Sequence, residues 1–132
     1  MGSIFLKARL VINVLFSVQE EIVAIKVESY KRVDLIEVSG RIDSSNAPEL
    51  DETLKQLADQ DRHQLVLNLS QVEYMSSAGL RAIVTALRTS KKNNGDVRIS
   101  GPSERVKEVL ELAGLTNLFQ YHDDDTSAVG SF

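Results

Sequence analysis

Leu65-Val-Leu-Asn-Leu-Ser-Gln-Val-Glu-Tyr-Met-Ser-Ser-Ala-Gly-Leu-Arg-Ala-Ile-Val84 changes its hydrophobic period partway along. Leu65 to Leu69 is a nearly continuous apolar run, the pattern of a central strand buried on both faces. Beyond the polar pair Ser76 and Ser77, apolar residues return at helical spacing as Leu80, Ile83, Val84 and Leu87. A strand that runs through a short serine loop into an amphipathic helix sets a hydroxyl at a helix N-terminus on the rim of a sheet. Free N–H groups and the positive end of the helix dipole favour an anion there. The position suits a phosphate, and a phosphate on a side chain acts as a switch.

Toward the N-terminus, Ile22–Glu28 and Val33–Val38 are β-branched and alternating, and the short Tyr30-Lys-Arg32 link predicts a hairpin. Val23, Ile25 and Val27 share one face. In the second strand, Val33 and Leu35 oppose Ile36 and Val38, and Gly40 is expected to end it. Asn46 as cap, Pro48 in the first turn and Glu49 at the capping-box position predict a helix start. Its inner stripe is Ala47, Leu50, Leu54, Leu57 and Ala58. Asp59-Gln-Asp-Arg62 reads as a solvated turn.

Toward the C-terminus, Lys91 and Lys92 suit the end of the second helix, with Gly95 expected as its left-handed cap. Val97–Ser100 is a short strand, and Ser103 caps a third helix with Val106, Val109, Leu110 and Ala113 inward. Gly114 and Leu115 close that helix, and Leu118–Tyr121 forms a last edge strand. The order β-β-α-β-α-β-α-(β) predicts an α/β fold: a mixed sheet of four to five strands, its parallel pairs joined by right-handed crossovers and its helices mainly on one side. Residues 21–122 make the domain. Residues 1–20 are an apolar extension whose period fits helix and strand equally, and residues 123–132 are expected as an acidic flexible tail.

Composition narrows function. A chain of 132 residues that is 42% hydrophobic suffices for one domain with a core. The net charge of −4 and the scattered Lys and Arg argue against nucleic acid, which needs a concentrated basic footprint. The absence of cysteine removes disulfides and thiolate metal sites. His63 and His122 lie far apart, without ligand-spaced partners, and are expected in solvent at element ends. No metal or other cofactor is expected. No apolar run approaches the ~20 residues of a membrane span, so stable membrane insertion is not expected. Ile4–Val18 lacks the cleavage site of a signal peptide.

Catalysis finds little support. Ser77 has no histidine at a triad position, and its loop is not a G-x-S-x-G elbow. Neither Ser39-Gly-Arg-Ile-Asp43 nor Ser100-Gly-Pro-Ser103 forms a phosphate-binding glycine loop. The chain is therefore expected not to be an enzyme. On the bare pattern, Ser76 and Ser77 only cap a helix, while Asp43, Ser44 and Ser45 are turn residues.

Three stretches carry a family resemblance. Ser39–Leu50 is similar to the opening motif of STAS domains, Leu65–Leu80 to their D-S-x-G-L segment and Glu111–Phe119 to their closing motif. They stand in family order and spacing, the resemblance covers roughly residues 21–122, and the best-matched branch is the bacterial anti-sigma factor antagonist, or anti-anti-sigma factor. The resemblance implies a STAS-like fold and a cytoplasmic partner switch. The unphosphorylated antagonist binds an anti-sigma factor that is also a GHKL-type serine kinase, is released when phosphorylated, and is reset by a serine phosphatase. Ser77 matches the acceptor serine, with Ser76 as the alternative. Ala78, Gly79 and Leu80 match the rest of the motif, and Asp43 the acidic residue of the first loop. The partner surface is expected at Asp43, Ser44, Ser45, Asn46, Ser76, Ala78, Gly79, Leu80 and Arg81. Two positions depart from the family: Ser76 and Asn68 stand where Asp is usual, and both are expected to remove a carboxylate near the acceptor loop. The alternative is a STAS scaffold, or a subunit of a transport or lipid-trafficking assembly, without sigma control.

Overall fold

The computed structural model describes residues 23–132. The expected extension over residues 1–20, and the expected strand start at Ile22, lie outside the described residues. Strands β1 (Ala24–Ser29) and β2 (Asp34–Ile42) form the antiparallel hairpin, closed by the Tyr30 N–H donating to the Val33 carbonyl at 2.8 Å. Then follow α1 (Ala47–Asp59), β3 (Gln64–Met75), α2 (Ser77–Lys92), β4 (Asp96–Ser100) and α3 (Glu104–Leu112). A 3-10 turn (Thr116–Leu118), β5 (Gln120–His122) and α4 (Asp125–Gly130) complete the chain. The five strands lie in sequence order in one sheet, with every pair after the first parallel.

Side-chain alternation divides the core. Ile36, Val38 and Ile42 of β2 join Leu65, Leu67 and Leu69 of β3 under α1, α2 and α3, where Leu50, Ile83 and Leu110 are buried. On the other face Val33, Leu35 and Val66 pack against Ala128 of α4. The helical stripes are those the spacing predicts, although Ala113 is exposed and Val109 only half-buried. Ser103 caps α3 by accepting from the Val106 N–H, and Gly114 (φ 71°) ends it with Leu115 packed against the core.

Several expectations are corrected. Gly40 does not end β2; it sits inside the strand at a positive φ of 96°, beside one of two register shifts that let the strand continue to Ile42. Strand β3 runs to Met75, so a strand rather than a loop delivers the chain to Ser76. Left-handed closure after α2 falls to Asn94 (φ 62°), not Gly95. Gly95 is needed for space: a Cβ there would stand 1.9 Å from the His63 carbonyl oxygen. That backbone cannot yield without breaking the bond from the Asp96 N–H to the same oxygen. Gly95→Ala should therefore cost about 3 kcal/mol, the upper range for forced overpacking, read as a lower urea midpoint with an unchanged slope.

The histidines are not free in solvent. The side chain of His63 is 11% exposed, and its Nε2 lies 3.0 Å from Asp61. His122 is half-buried in β5.

The acidic tail is also corrected, because α4 occupies residues 125–130 and docks on the sheet. Asp124 caps it by accepting from the Ser127 N–H at 2.8 Å, and that backbone hydrogen bond holds its carboxyl below the ordinary range. The Asp125 carboxylate accepts from the buried Ser100 hydroxyl at 2.5 Å and from Asn68 Nδ2 at 2.9 Å. Ala128 is fully buried, and the Arg98 guanidinium lies 3.9 Å from the Phe132 ring centre. A six-residue helix is too short to show a period in sequence, and its acidic residues serve as cap and anchor rather than as solvating charges.

Candidate functional site

Strands β2 and β3 end side by side. Ile42 is the register partner of Met75, and the Ser76 N–H donates to the Ile42 carbonyl at 2.8 Å. The chain leaves this shared edge twice, as the Asp43–Asn46 loop into α1 and as Ser76 into α2. Two segments separated by thirty-odd residues of sequence thus form one surface at the C-terminal ends of parallel strands, where α/β folds place their sites.

The first segment is held by its own side chains. One Asp43 carboxylate oxygen accepts from the Ser45 hydroxyl at 2.6 Å, the Ser45 N–H at 2.9 Å and the Asn46 N–H at 3.2 Å. The Ser45 hydroxyl is the foremost cause that holds this carboxyl below its ordinary range, so Asp43 is charged at neutral pH. Asn46 does not cap α1 with its side chain, contrary to expectation. Its amide folds back, accepting from the Asp43 N–H at 2.9 Å and donating to the Arg41 carbonyl at 2.8 Å. The result is a stiff loop with Ser44 and Ser45 exposed.

The second segment separates the two serines. Ser76 is the N-cap of α2: its backbone is extended, its Oγ accepts from the Gly79 N–H at 3.3 Å, and its carbonyl accepts from Leu80. Ser77 is the first helical residue and is exposed, and its hydroxyl has no hydrogen-bond partner among the described residues. Gly79 lets the helix start press onto the strand ends, since a Cβ there would stand 2.8 Å from Ile42 Cγ2 and 3.0 Å from Met75 Cγ. Leu80 is buried in the core. Gly79 and Leu80 are both buried where the helix seats on the strand ends. Ala78 is half-buried at the rim, and Arg81 is exposed one turn beyond Ser77.

A groove opens beside Ser77 between the first turns of α1 and α2, lined by Ser44, Ala47, Pro48, Ala78 and Arg81. Asp51 and Lys55 pair across its α1 wall at 2.7 Å. Arg88 is exposed further along α2. One rim feature went unread in the sequence: the Arg41 guanidinium lies 4.6 Å from the centre of the Tyr74 ring. The signal was available only through register, since the two are partners across β2 and β3.

Asn68 does not lie at this site, which corrects the sequence-based expectation. It precedes Met75 by seven strand residues, on the order of 20 Å, and its side chain bonds Asp125 of α4 and the Ser70 hydroxyl. The carboxylate absent from position 68 is present there as Asp125. Among the described residues no cluster of His, Cys, Asp and Glu is arranged to hold a metal, and no helix is long and apolar enough to cross a membrane.

A family model described as the STAS domain matches residues 24–128. An anti-sigma-B factor antagonist of Staphylococcus epidermidis is 32% identical over 88 residues, covering 67% of this chain and 82% of that protein. The Staphylococcus aureus protein of the same name is 31% identical over the same shares. Among solved structures, an anti-sigma factor antagonist from Mycobacterium paratuberculosis superposes with a TM-score of 0.75 at 24% identity, covering 83% of this chain and 93% of that one. The anti-sigma factor antagonist SpoIIAA in its unphosphorylated form gives 0.71 at 18% identity over 83% and 98% of the two chains. Its phosphorylated form gives 0.67 at 17% identity over 82% and 98%. At these identities the structural likeness establishes the fold.

Proposed function

This chain belongs to the STAS domain family, and on that footing we propose that it is an anti-sigma factor antagonist that works by partner switching in the cytoplasm. In the unphosphorylated state the surface formed by the Asp43–Asn46 loop and the start of α2 binds an anti-sigma factor, which is also a GHKL-type serine kinase. Phosphate on Ser77 ends the complex, and a serine phosphatase restores it. The chain is the kinase's substrate and performs no chemistry of its own.

One observation carries this reading. Of two adjacent serines, Ser77 offers an exposed hydroxyl with no hydrogen-bond partner among the described residues, whereas Ser76 spends its hydroxyl on the cap. A kinase needs a nucleophilic oxygen that can leave its present contacts, and only one of the two is presented at no cost to the helix. That SpoIIAA has been solved in both phosphorylation states, each superposing on this chain, supports a fold that accepts the modification.

Incubation with ATP and the cognate anti-sigma kinase, followed by Phos-tag electrophoresis, tests it. The parent chain and Ser76→Ala should shift, and Ser77→Ala should not. A shift that survives in Ser77→Ala overturns the assignment of the acceptor. The absence of a shift in all three, alongside a stable complex, would favour the scaffold reading.

A further inference from the structure

Arg81 follows Ser77 by four residues, so their side chains rise from the same face of α2, one turn apart. Both are exposed. The other charged groups around Ser77 are already engaged. Asp43 is bonded within its loop, Lys55 pairs with Asp51 along the α1 wall of the groove, and Arg41 stacks on Tyr74. The Arg81 guanidinium has no ion-pair partner among the described residues.

The geometry points to Arg81 as the intramolecular partner of the phosphate on Ser77, the residue that fixes the modified side chain against the rim of the α1–α2 groove. This rests on Ser77 being the acceptor. A guanidinium presents a planar fork that matches two phosphate oxygens at once, and a dianion gains more from it than a neutral hydroxyl does. Pairing one turn away keeps the phosphate over the helix start rather than free in solvent, at the surface a partner must cover. The spacing also discriminates between the serines. Ser77 stands about 40° round the helix axis from Arg81, whereas helical spacing would put position 76 about 140° away and Ser76 is an N-cap with extended backbone, so a phosphate there would not share the guanidinium's face. The groove wall adds no competing cation, because Lys55 is held by Asp51.

Phosphoserine installed at position 77 during translation gives the modified full-length chain without any kinase, which separates this test from the test of the acceptor. Phosphorus NMR then follows the second ionisation of the phosphate. At low salt, Arg81→Gln should raise that midpoint by about 0.2–0.4 pH unit, Arg81→Lys should restore part of the difference, and high salt should shrink it. Circular dichroism checks that each variant is folded. An Arg81→Gln chain whose phosphate titrates as in the parent overturns the pairing. So does an equal effect of Arg81→Gln on a chain carrying phosphoserine at position 76. A kinase that ignores Ser77 would overturn the acceptor reading while leaving this measurement intact.

Discussion

Replacing Arg62 with alanine is expected to cost the domain about 3 kcal/mol, the lower end of the penalty for stripping a buried charge of its partner, since the Arg62 side chain itself is 26% exposed. Asp34 opens β2 and is fully buried. Its carboxylate accepts from Arg62 Nε and from the Ser29 hydroxyl, each at 2.5 Å. The same guanidinium donates to the Lys31 carbonyl at 3.1 Å and the Tyr30 carbonyl at 2.9 Å. One side chain thus ties the turn between β1 and β2 to the turn between α1 and β3. Without it the carboxylate keeps its desolvation cost and loses its cation, and two turn carbonyls lose their donors. Domains of this kind hold about 5–15 kcal/mol in total, so the loss takes much of the margin. Urea unfolding should show a large fall in midpoint. Asp34→Asn combined with Arg62→Ala should fall less, because no unpaired charge is left in the interior. An Arg62→Ala chain within about 1 kcal/mol of the parent would show that the pair carries little of the fold.

That ion pair marks the limit of what the sequence discloses. Periodicity reports which residues repeat along one element, so the stripes of α1, α2 and α3 and the buried run Leu65–Leu69 were legible. Arg62 stood in a charged run with the composition of a solvated turn, and its partner lies twenty-eight residues earlier in the chain. Only the folded topology brings the two together. The same reason hid α4, which is held to the sheet by the buried Ala128, by Val129 packed beside it and by a carboxylate shared with Ser100 and Asn68. It also misplaced Asn68: nearness in sequence to Ser76 suggested nearness in space, and a long strand carried the two apart. At the candidate site, the two segments singled out by the motif spacing lie side by side, since Ile42 and Met75 end neighbouring strands. The division of labour between Ser76 and Ser77 needed cap geometry, which a pair of identical residues cannot reveal.

The second large effect concerns binding. Phosphoserine at position 77 should leave the domain folded. The added charge of about −1.5 to −2 sits at the start of α2, where the helix dipole and free N–H groups favour an anion. The conflict arises when a partner covers the rim. A phosphate dianion paired with a single guanidinium keeps a net negative charge, and desolvating that charge at an interface costs several kcal/mol; each ~1.4 kcal/mol is a tenfold loss of affinity. At least a hundredfold weakening follows, enough to dissolve a micromolar complex at cellular concentrations. The direct measurement is a calorimetric titration of the anti-sigma factor with the unmodified chain and with the chain bearing phosphoserine at position 77, each checked by circular dichroism. The expected result is two folded proteins whose affinities differ by at least a hundredfold; two folded proteins that bind equally well would contradict the switch.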